Sequence, residues 1–195
     1  MKQRKSKIVR KTNETDVSVE INLDKASKPD VSATIGFMDH MLELFAAHAG
    51  ISLKIKAKGD THIDDHHLVE DTGITIGKAL KEALGDKKGI ARYGHFLLPM
   101  DEALSYVALD LSGRFYLSYE ASIQFQKTGF NYDLLEEFFY ALACNAGITL
   151  HIKMIKGRNN HHIAESIFKA FGRALRQAIA YSKGKMVIPS TKGVL

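Results

Sequence analysis

Asp64-Asp65-His66-His67-Leu68-Val69-Glu70 and Asn159-Asn160-His161-His162-Ile163-Ala164-Glu165 are two copies of one pattern, in which a pair of adjacent histidines is followed three residues later by a glutamate. Each copy opens a run whose apolar spacing is typical of an amphipathic helix. On a helix the first histidine and the glutamate share a face, whereas the second histidine points about 100° away. Imidazole and carboxylate are usual ligands of divalent transition metals. Each copy can therefore serve two metals, or one metal and one substrate group.

The sequence around the two copies also repeats. Residues 49–55, Ala-Gly-Ile-Ser-Leu-Lys-Ile, match residues 146–152, Ala-Gly-Ile-Thr-Leu-His-Ile, after a shift of 97 positions, and the His-His-Glu copies are 95 positions apart. Two long copies predict a duplicated domain with a pseudo-two-fold axis rather than a solenoid. We expect a single domain over residues 1–195 that consists of two repeats, about 1–90 and 91–195.

The same shift places His40 opposite Glu137, and both residues begin helical stretches that lead into the repeated Ala-Gly-Ile segment. If His40 binds a metal, the repeat nominates Glu137 as its counterpart. A carboxylate in place of an imidazole suits Mn(II) or Fe(II), which are harder than Zn(II). His48 lies two turns after His40 on the same predicted face and is a further candidate for contact with a ligand.

The periodicity of apolar residues predicts an α+β sandwich, in which sheet is covered by helices. Predicted helices cover residues 38–49, 66–84, 134–146 and 162–182. Predicted strands cover residues 17–23, 51–55, 104–111, 114–119 and 148–155, and residues 28–30 predict a turn. Gly50 and Gly85 are expected to end the first two helices, and Asp133 is expected to cap the third.

Composition restricts the functional class. The 195 residues are 45% hydrophobic, which is enough for a buried core. The apolar runs are too short to span a bilayer, and the basic N-terminus lacks the apolar segment of a secretory signal. We therefore expect a cytoplasmic protein without membrane contact, in which Cys144 is a buried core residue. The net charge of +5 is spread along the chain, which favours a small anionic substrate over nucleic acid.

Basic residues beside glycines form a candidate phosphate site. Arg92 in Gly89-Ile90-Ala91-Arg92-Tyr93-Gly94 and Arg114 after Gly113 combine a flexible backbone with a guanidinium, which can grip a phosphate through two hydrogen bonds. Surface arginines at turns are the alternative interpretation. Pro189-Ser190-Thr191-Lys192-Gly193 offers hydroxyls and an ammonium to the same kind of anion, although a frayed tail has a similar composition.

Five segments together resemble the imidazoleglycerol-phosphate dehydratase family of histidine biosynthesis. They are Phe37-Met38-Asp39-His40-Met41-Leu42, Asp64-Asp65-His66-His67-x-x-Glu70-Asp71, Leu109-Asp110-Leu111-Ser112-Gly113-Arg114, His161-His162-x-x-Glu165 and Pro189-Ser190-x-Lys192-Gly193-Val194. The resemblance covers about residues 8–195. It implies a lyase that dehydrates D-erythro-imidazole glycerol phosphate to imidazole acetol phosphate. It also implies duplicated ferredoxin-like βαβ units, two Mn(II) ions in each active site, and a 24-subunit shell with sites at subunit contacts.

The resemblance implies a role for each matched residue. The implied metal ligands are His40, His66, His67, Glu70, His161, His162 and Glu165, with Glu137 at an eighth position where some relatives carry histidine. The residues at phosphate-holding positions are Arg92, Arg114, Lys169, Ser190 and Lys192, and Thr191 lies between the last two. Glu14, His48 and Asp101 fall at substrate-handling or acid–base positions, and His40 is also a candidate for substrate contact. Glu14 is the first candidate for the catalytic base.

The mechanism that follows as a hypothesis uses the imidazole ring of the substrate. No carbonyl stands beside the proton to be removed, so that proton is not acidic. Metals on both ring nitrogens would hold the ring as imidazolate, from which electron density can expel the neighbouring hydroxyl. The alternatives are a di-metal phosphoester hydrolase, which usually relies on aspartates and a bridging carboxylate, and a metal-storage protein, which needs no paired arginines. A nucleic-acid module would lose affinity steeply with salt.

Overall fold

The computed structural model describes residues 3–121, 123, 129–182 and 186–193, so that Val194 of the last motif lies outside the described residues. The two halves have the same order of elements. The first half contains β1 (Lys5–Lys11), β2 (Thr15–Asn22), β3 (Asp30–Ser32), α1 (Gly36–Ala49), β4 (Ser52–Gly59) and α2 (His66–Leu84). The second half contains β5 (Tyr93–Met100), β6 (Ala103–Asp110), β7 (Tyr116–Glu120), α3 (Leu134–Ala146), β8 (Thr149–Lys156) and α4 (Asn160–Ile179).

Each half builds one four-stranded mixed sheet. The strand orders are β1-β2-β4-β3 and β5-β6-β8-β7. In each sheet the first two strands form an antiparallel hairpin, and the third strand runs parallel to the fourth after crossing through a helix. A parallel pair needs such a crossover connection. The topology confirms the predicted α+β architecture with duplicated ferredoxin-like βαβ units.

The helices lie on the inner faces of the sheets and join the two halves. Along β2 the alternate residues Val17, Val19 and Ile21 are buried, as expected for a strand with one covered face. Helix α2 covers β1 and β2, whereas α4 covers β5 and β6. Across the middle of the molecule, α1 packs on α4 and α2 packs on α3. Both halves therefore contribute to one shared core.

Two glycines lie at equivalent points of the two helix contacts between the halves, α2 on α3 and α4 on α1. A Cβ atom added to Gly77 would lie 2.5 Å from the carbonyl oxygen of Leu142, and one added to Gly172 would lie 2.6 Å from that of Phe45. The shift of 95 positions relates the two glycines, and the shift of 97 relates the two carbonyls. Since a side chain is excluded at both points, the helix backbones approach closely. The predicted pseudo-two-fold relation thus extends to the helix interfaces.

Several elements differ from the sequence predictions. Strands β1 and β5 were not predicted because they are edge strands that carry polar and exposed residues. The predicted turn at residues 28–30 overlaps the start of the three-residue strand β3. Helix α4 ends at Ile179 rather than at residue 182, and Cys144 is exposed rather than buried. No helix in the described part of the chain is long and apolar enough to cross a membrane.

Candidate active site

His40, His161 and Glu165 form the group of three potential metal ligands among the described residues, with ligand atoms within 4.8 Å of one another. Nε2 of His40 lies 3.0 Å from Oε1 of Glu165, and Nε2 of His161 lies 2.9 Å from the same oxygen. His40 belongs to α1, whereas the other two residues occupy the first turns of α4. The Asn159 side chain caps α4 by accepting the backbone N–H groups of both histidines of the doublet. The cluster therefore joins the two halves of the chain.

The electrostatics of Glu165 favour a cation. Burial alone would raise the pKa of this carboxyl group, but hydrogen bonds from Lys169, His40 and His161 lower its pKa to about 2. Lys169 donates to Oε2, the second carboxylate oxygen, from one helical turn further along α4. The carboxylate is consequently ionised at neutral pH. One ionised carboxylate and two imidazole nitrogens form a donor set that fits a divalent ion such as Mn(II).

The second histidine of each doublet is oriented by a carboxylate. Nδ1 of His67 lies 3.1 Å from Oδ2 of Asp60, and Nδ1 of His162 lies 2.7 Å from Oε2 of Glu102. These hydrogen bonds raise the pKa of both histidines, and the bond from His162 helps to lower the pKa of Glu102 to about 2. A carboxylate on one ring nitrogen leaves the other nitrogen able to bind a metal, an arrangement common around protein metals.

A hairpin turn brings an acidic side chain to each of these histidines. Glu14, in the β1–β2 turn, places Oε2 3.9 Å from Nδ1 of His67. Asp101, in the β5–β6 turn, places Oδ2 3.7 Å from Nε2 of His162. Both carboxylates are more than half exposed, at 55% and 71%. The two predicted acid–base residues thus stand at corresponding places in the two halves.

Other predicted site residues lie outside the cluster of His40, His161 and Glu165. His66 and Glu70 begin α2, and Glu137 is exposed near the start of α3. In the described part of the chain these three residues do not converge as His40, His161 and Glu165 do. His48 donates Nδ1–H to the carbonyl of Leu44 at 2.9 Å, and eight residues of helix separate it from His40 by about 12 Å.

The predicted phosphate residues are divided among three places. Arg92 binds both oxygens of Asp110, at 2.7 and 3.0 Å, and donates a third N–H to the carbonyl of Pro189 at 2.9 Å. It thereby docks the segment that carries Ser190, Thr191 and Lys192. Lys169 belongs instead to the Glu165 cluster, and Arg114 is exposed immediately before β7.

Sequence reasoning missed the partners of the predicted residues. Asp60, Glu102 and Asp110 each orient one of them, and the ring of Phe37 meets that of His161 edge-on at 5.7 Å between centroids. Asp60 and Glu102 stand in turns, where an acidic residue is ordinarily read as a surface charge. Asp110 gave a stronger signal because it belongs to the same motif as Arg114.

Comparison with known proteins gives a consistent result. The family model of imidazoleglycerol-phosphate dehydratase matches residues 33–175. The imidazoleglycerol-phosphate dehydratase of Endomicrobium trichonymphae is 81% identical over 195 residues, which is 100% of both chains.

Solved structures agree with the sequence relatives. The crystal structure of imidazoleglycerol-phosphate dehydratase from Staphylococcus aureus is 45% identical, with a TM-score of 0.83, and the match covers 91% of this chain and 99% of that one. The structure from Pyrococcus furiosus, solved with a bound ligand, is 40% identical with a TM-score of 0.84, and the match covers 96% and 100%. The resemblance seen in the five motifs is confirmed. The chain belongs to the imidazoleglycerol-phosphate dehydratase family, a family of lyases.

Proposed function

We propose that the protein removes water from D-erythro-imidazole glycerol phosphate to give imidazole acetol phosphate in histidine biosynthesis, in the cytoplasm, at a site that binds two Mn(II) ions. The main support for this proposal is that His40, His161 and Glu165 converge from the two halves of a duplicated chain. Family membership supplies the substrate class, and the donor set supports the metal.

The duplication supports a second metal position. His66, Glu70 and Glu137 correspond to His161, Glu165 and His40 under the shifts of 95 and 97 positions. They lie at the starts of α2 and α3, as their counterparts lie at the starts of α4 and α1. A flat imidazole ring presents nitrogens on two sides, which two related ligand sets can address. We further propose that His67 and His162 complete these sets across subunit contacts of a 24-subunit assembly, since their carboxylate-held rings are half-exposed.

Mn(II) ions held by these two ligand sets would supply the positive charge that favours the imidazolate form of the substrate ring. The residues of the chain do the remaining work. Glu14 accepts the proton from C2 of the glycerol chain of the substrate, the carbon that becomes the ketone. Its carboxylate can do so because it is exposed beside His67. The departing hydroxyl takes a proton from solvent and leaves as water, and Asp101, exposed beside His162, is the reserve for the proton transfers. The resulting enol then becomes the ketone.

The phosphate of the substrate is held by Arg92, Arg114, Ser190, Thr191 and Lys192. The contact from Arg92 to Pro189 supports this grouping, because it holds the hydroxyls and the ammonium of the C-terminal segment next to a guanidinium. Fixing the phosphate places the ring relative to Glu14, so that binding energy serves to orient the reacting atoms. His48 lies on the α1 face that adjoins Gly172 of α4 and has its second nitrogen available to the substrate.

The test is turnover of imidazole glycerol phosphate by the purified protein with Mn(II), after chelation, and after reloading. Ketone product that depends reversibly on Mn(II) is the expected result. Inorganic phosphate in place of ketone would favour a di-metal hydrolase. Intact Mn(II) binding without turnover would favour metal storage and overturn the proposed reaction.

A further inference from the structure

A partly buried ion pair lies beside the predicted base. Asp71 follows Glu70 on α2 and is 6% exposed. Its Oδ1 accepts Nε–H of Arg10 on β1 at 2.7 Å, and its Oδ2 accepts the hydroxyl of Thr15 at the start of β2. One carboxylate therefore connects α2 to both strands of the hairpin that carries Glu14.

The hairpin turn is closed around Glu14 by hydroxyl groups. The Thr12 hydroxyl accepts the backbone N–H groups of Glu14 and Thr15 at 3.1 and 2.9 Å, and it lies 3.2 Å from the Thr15 hydroxyl. Gly59 leaves room for this turn, since a Cβ atom there would lie 3.2 Å from the carbonyl oxygen of Glu14 and 3.1 Å from Cγ2 of Thr15. The backbone of Glu14 is thus fixed although its carboxylate is exposed.

The described residues of the second half do not repeat this ion pair. The position that corresponds to Asp71 is Ser166, whose hydroxyl lies 2.6 Å from that of Ser105 and donates to the carbonyl of Ile163. The turn that carries Asp101 is attached differently, because Glu102 accepts the backbone N–H groups of Arg158 and Asn159. A charged residue is costly to bury. Of the corresponding positions 71 and 166, only position 71, beside the turn of Glu14, holds a buried charge.

We propose that Asp71, together with Arg10 and Thr15, is a positioning residue for Glu14. It fixes the β1–β2 turn to the helix that carries His66, His67 and Glu70, and so fixes the distance between the base and the ring held by those residues. The inference rests on the proposed function, in which Glu14 removes the proton. A displacement of about 1 Å at a reacting group can reduce a rate about 100-fold.

The first variants change Thr15, because they remove one hydroxyl without leaving Arg10 unpaired. Thr15→Val should lower kcat about 10- to 100-fold while KM and bound Mn(II) stay at the level of the wild type. Thr15→Ser should restore the hydroxyl and most of kcat. Asp71→Asn should behave as Thr15→Val does. Lys7→Gln is the control, since it removes the exposed Lys7–Glu20 pair of the same hairpin and should leave kcat unchanged.

A double-mutant cycle tests whether the effect passes through Glu14. In Glu14→Asp the shorter side chain already displaces the carboxylate from its position. Adding Thr15→Val to this variant should therefore lower kcat by much less than Thr15→Val does in the wild type. Wild-type kcat in folded Thr15→Val and Asp71→Asn would overturn the inference while leaving the dehydratase function intact. Two other results would also overturn the inference, because they would assign the network to the stability of α2. One is loss of bound Mn(II) in these variants, and the other is a double variant whose loss of kcat equals the product of the two single losses. A wild type that binds Mn(II) without turnover would overturn the proposed function itself.

Discussion

His40 and Glu165 are 125 positions apart in the chain, yet Nε2 of the histidine lies 3.0 Å from Oε1 of the glutamate. One residue comes from each half, and the packing of α1 on α4 brings them together. Glu165 is the shared acceptor of the cluster, since it also binds His161 and Lys169. The candidate metal centre is therefore a property of the interface between the halves.

Glu165→Gln should greatly weaken the metal site. The neutral amide keeps the size of the side chain but removes the charge that faces Lys169 and both imidazoles, so the remaining cation repels a metal ion. We expect Mn(II) affinity to fall at least about 10- to 100-fold. Isothermal titration calorimetry and metal analysis provide the measurement, with Glu82→Gln at an exposed site of α2 as the control. Unchanged Mn(II) affinity in Glu165→Gln would remove this residue from the ligand set.

Glu14→Gln should abolish turnover while the protein still binds Mn(II) and substrate. The amide retains the shape of the side chain but cannot accept the substrate proton at neutral pH. Single-turnover kinetics would measure the chemical step, and the exposed surface variant Glu43→Gln on α1 is the control. A Glu14→Gln protein that retains most of its rate would shift the role of base to Asp101.

Arg92→Lys should weaken substrate binding. Lysine cannot bind both oxygens of Asp110 and the Pro189 carbonyl at once, because it lacks the planar fork of the guanidinium. We expect KM to rise about tenfold or more as the C-terminal segment loses its attachment, whereas bound Mn(II) should be unchanged.

Arg173→Lys is the matched control for Arg92→Lys. The Arg173 guanidinium lies over the Phe96 ring at 5.9 Å. Kinetics at varied substrate concentrations separates KM from kcat. Equal, small effects of the two substitutions would show that docking of the C-terminal segment does not support phosphate binding.

Gly172→Ala should destabilise the fold. The added methyl group would meet the Phe45 carbonyl at 2.6 Å, and overpacking of this kind costs about 1–3 kcal/mol. The loss should appear as a lower melting temperature, by about 2–4 °C for each kcal/mol in a chain of this size. Gly36→Ala is the control, since no atom lies within 4 Å of an added Cβ there. Equal melting temperatures for the two variants would contradict the close helix contact.

The internal repeat was sufficient to predict which residues of the two halves correspond. The shift between the halves related His40 to Glu137 and both doublets to each other, and the periodicity of apolar residues located the four helices. Lys169 follows Glu165 by four positions, so its place beside that carboxylate was also readable from helical spacing.

Contacts that depend on the pairing of strands, or on where the chain returns, were not predictable in the same way. Arg92 and Asp110 meet because β5 and β6 are paired in register, and the docking of Pro189 depends on where the chain returns after α4. Asp71 resembled one more acidic residue at the start of a helix until the hairpin with Arg10 and Thr15 was placed beside it. Pairing of an edge strand depends on the neighbour, and polar residues of β1 carry little sign of it.

The glycine contacts at Gly77 and Gly172 have a historical consequence. Each half packs its helices on those of the other half through the same geometry, so an ancestor of half the length would have had to form the same interface with a second copy of itself. In that ancestral homodimer, each copy would have supplied one ligand from its first helix and a His-His-Glu helix start to its mate, giving two identical ligand sets. Fusion of the two copies would then free each set to diverge, and histidine at position 40 opposite glutamate at position 137 is the kind of difference that such divergence would leave.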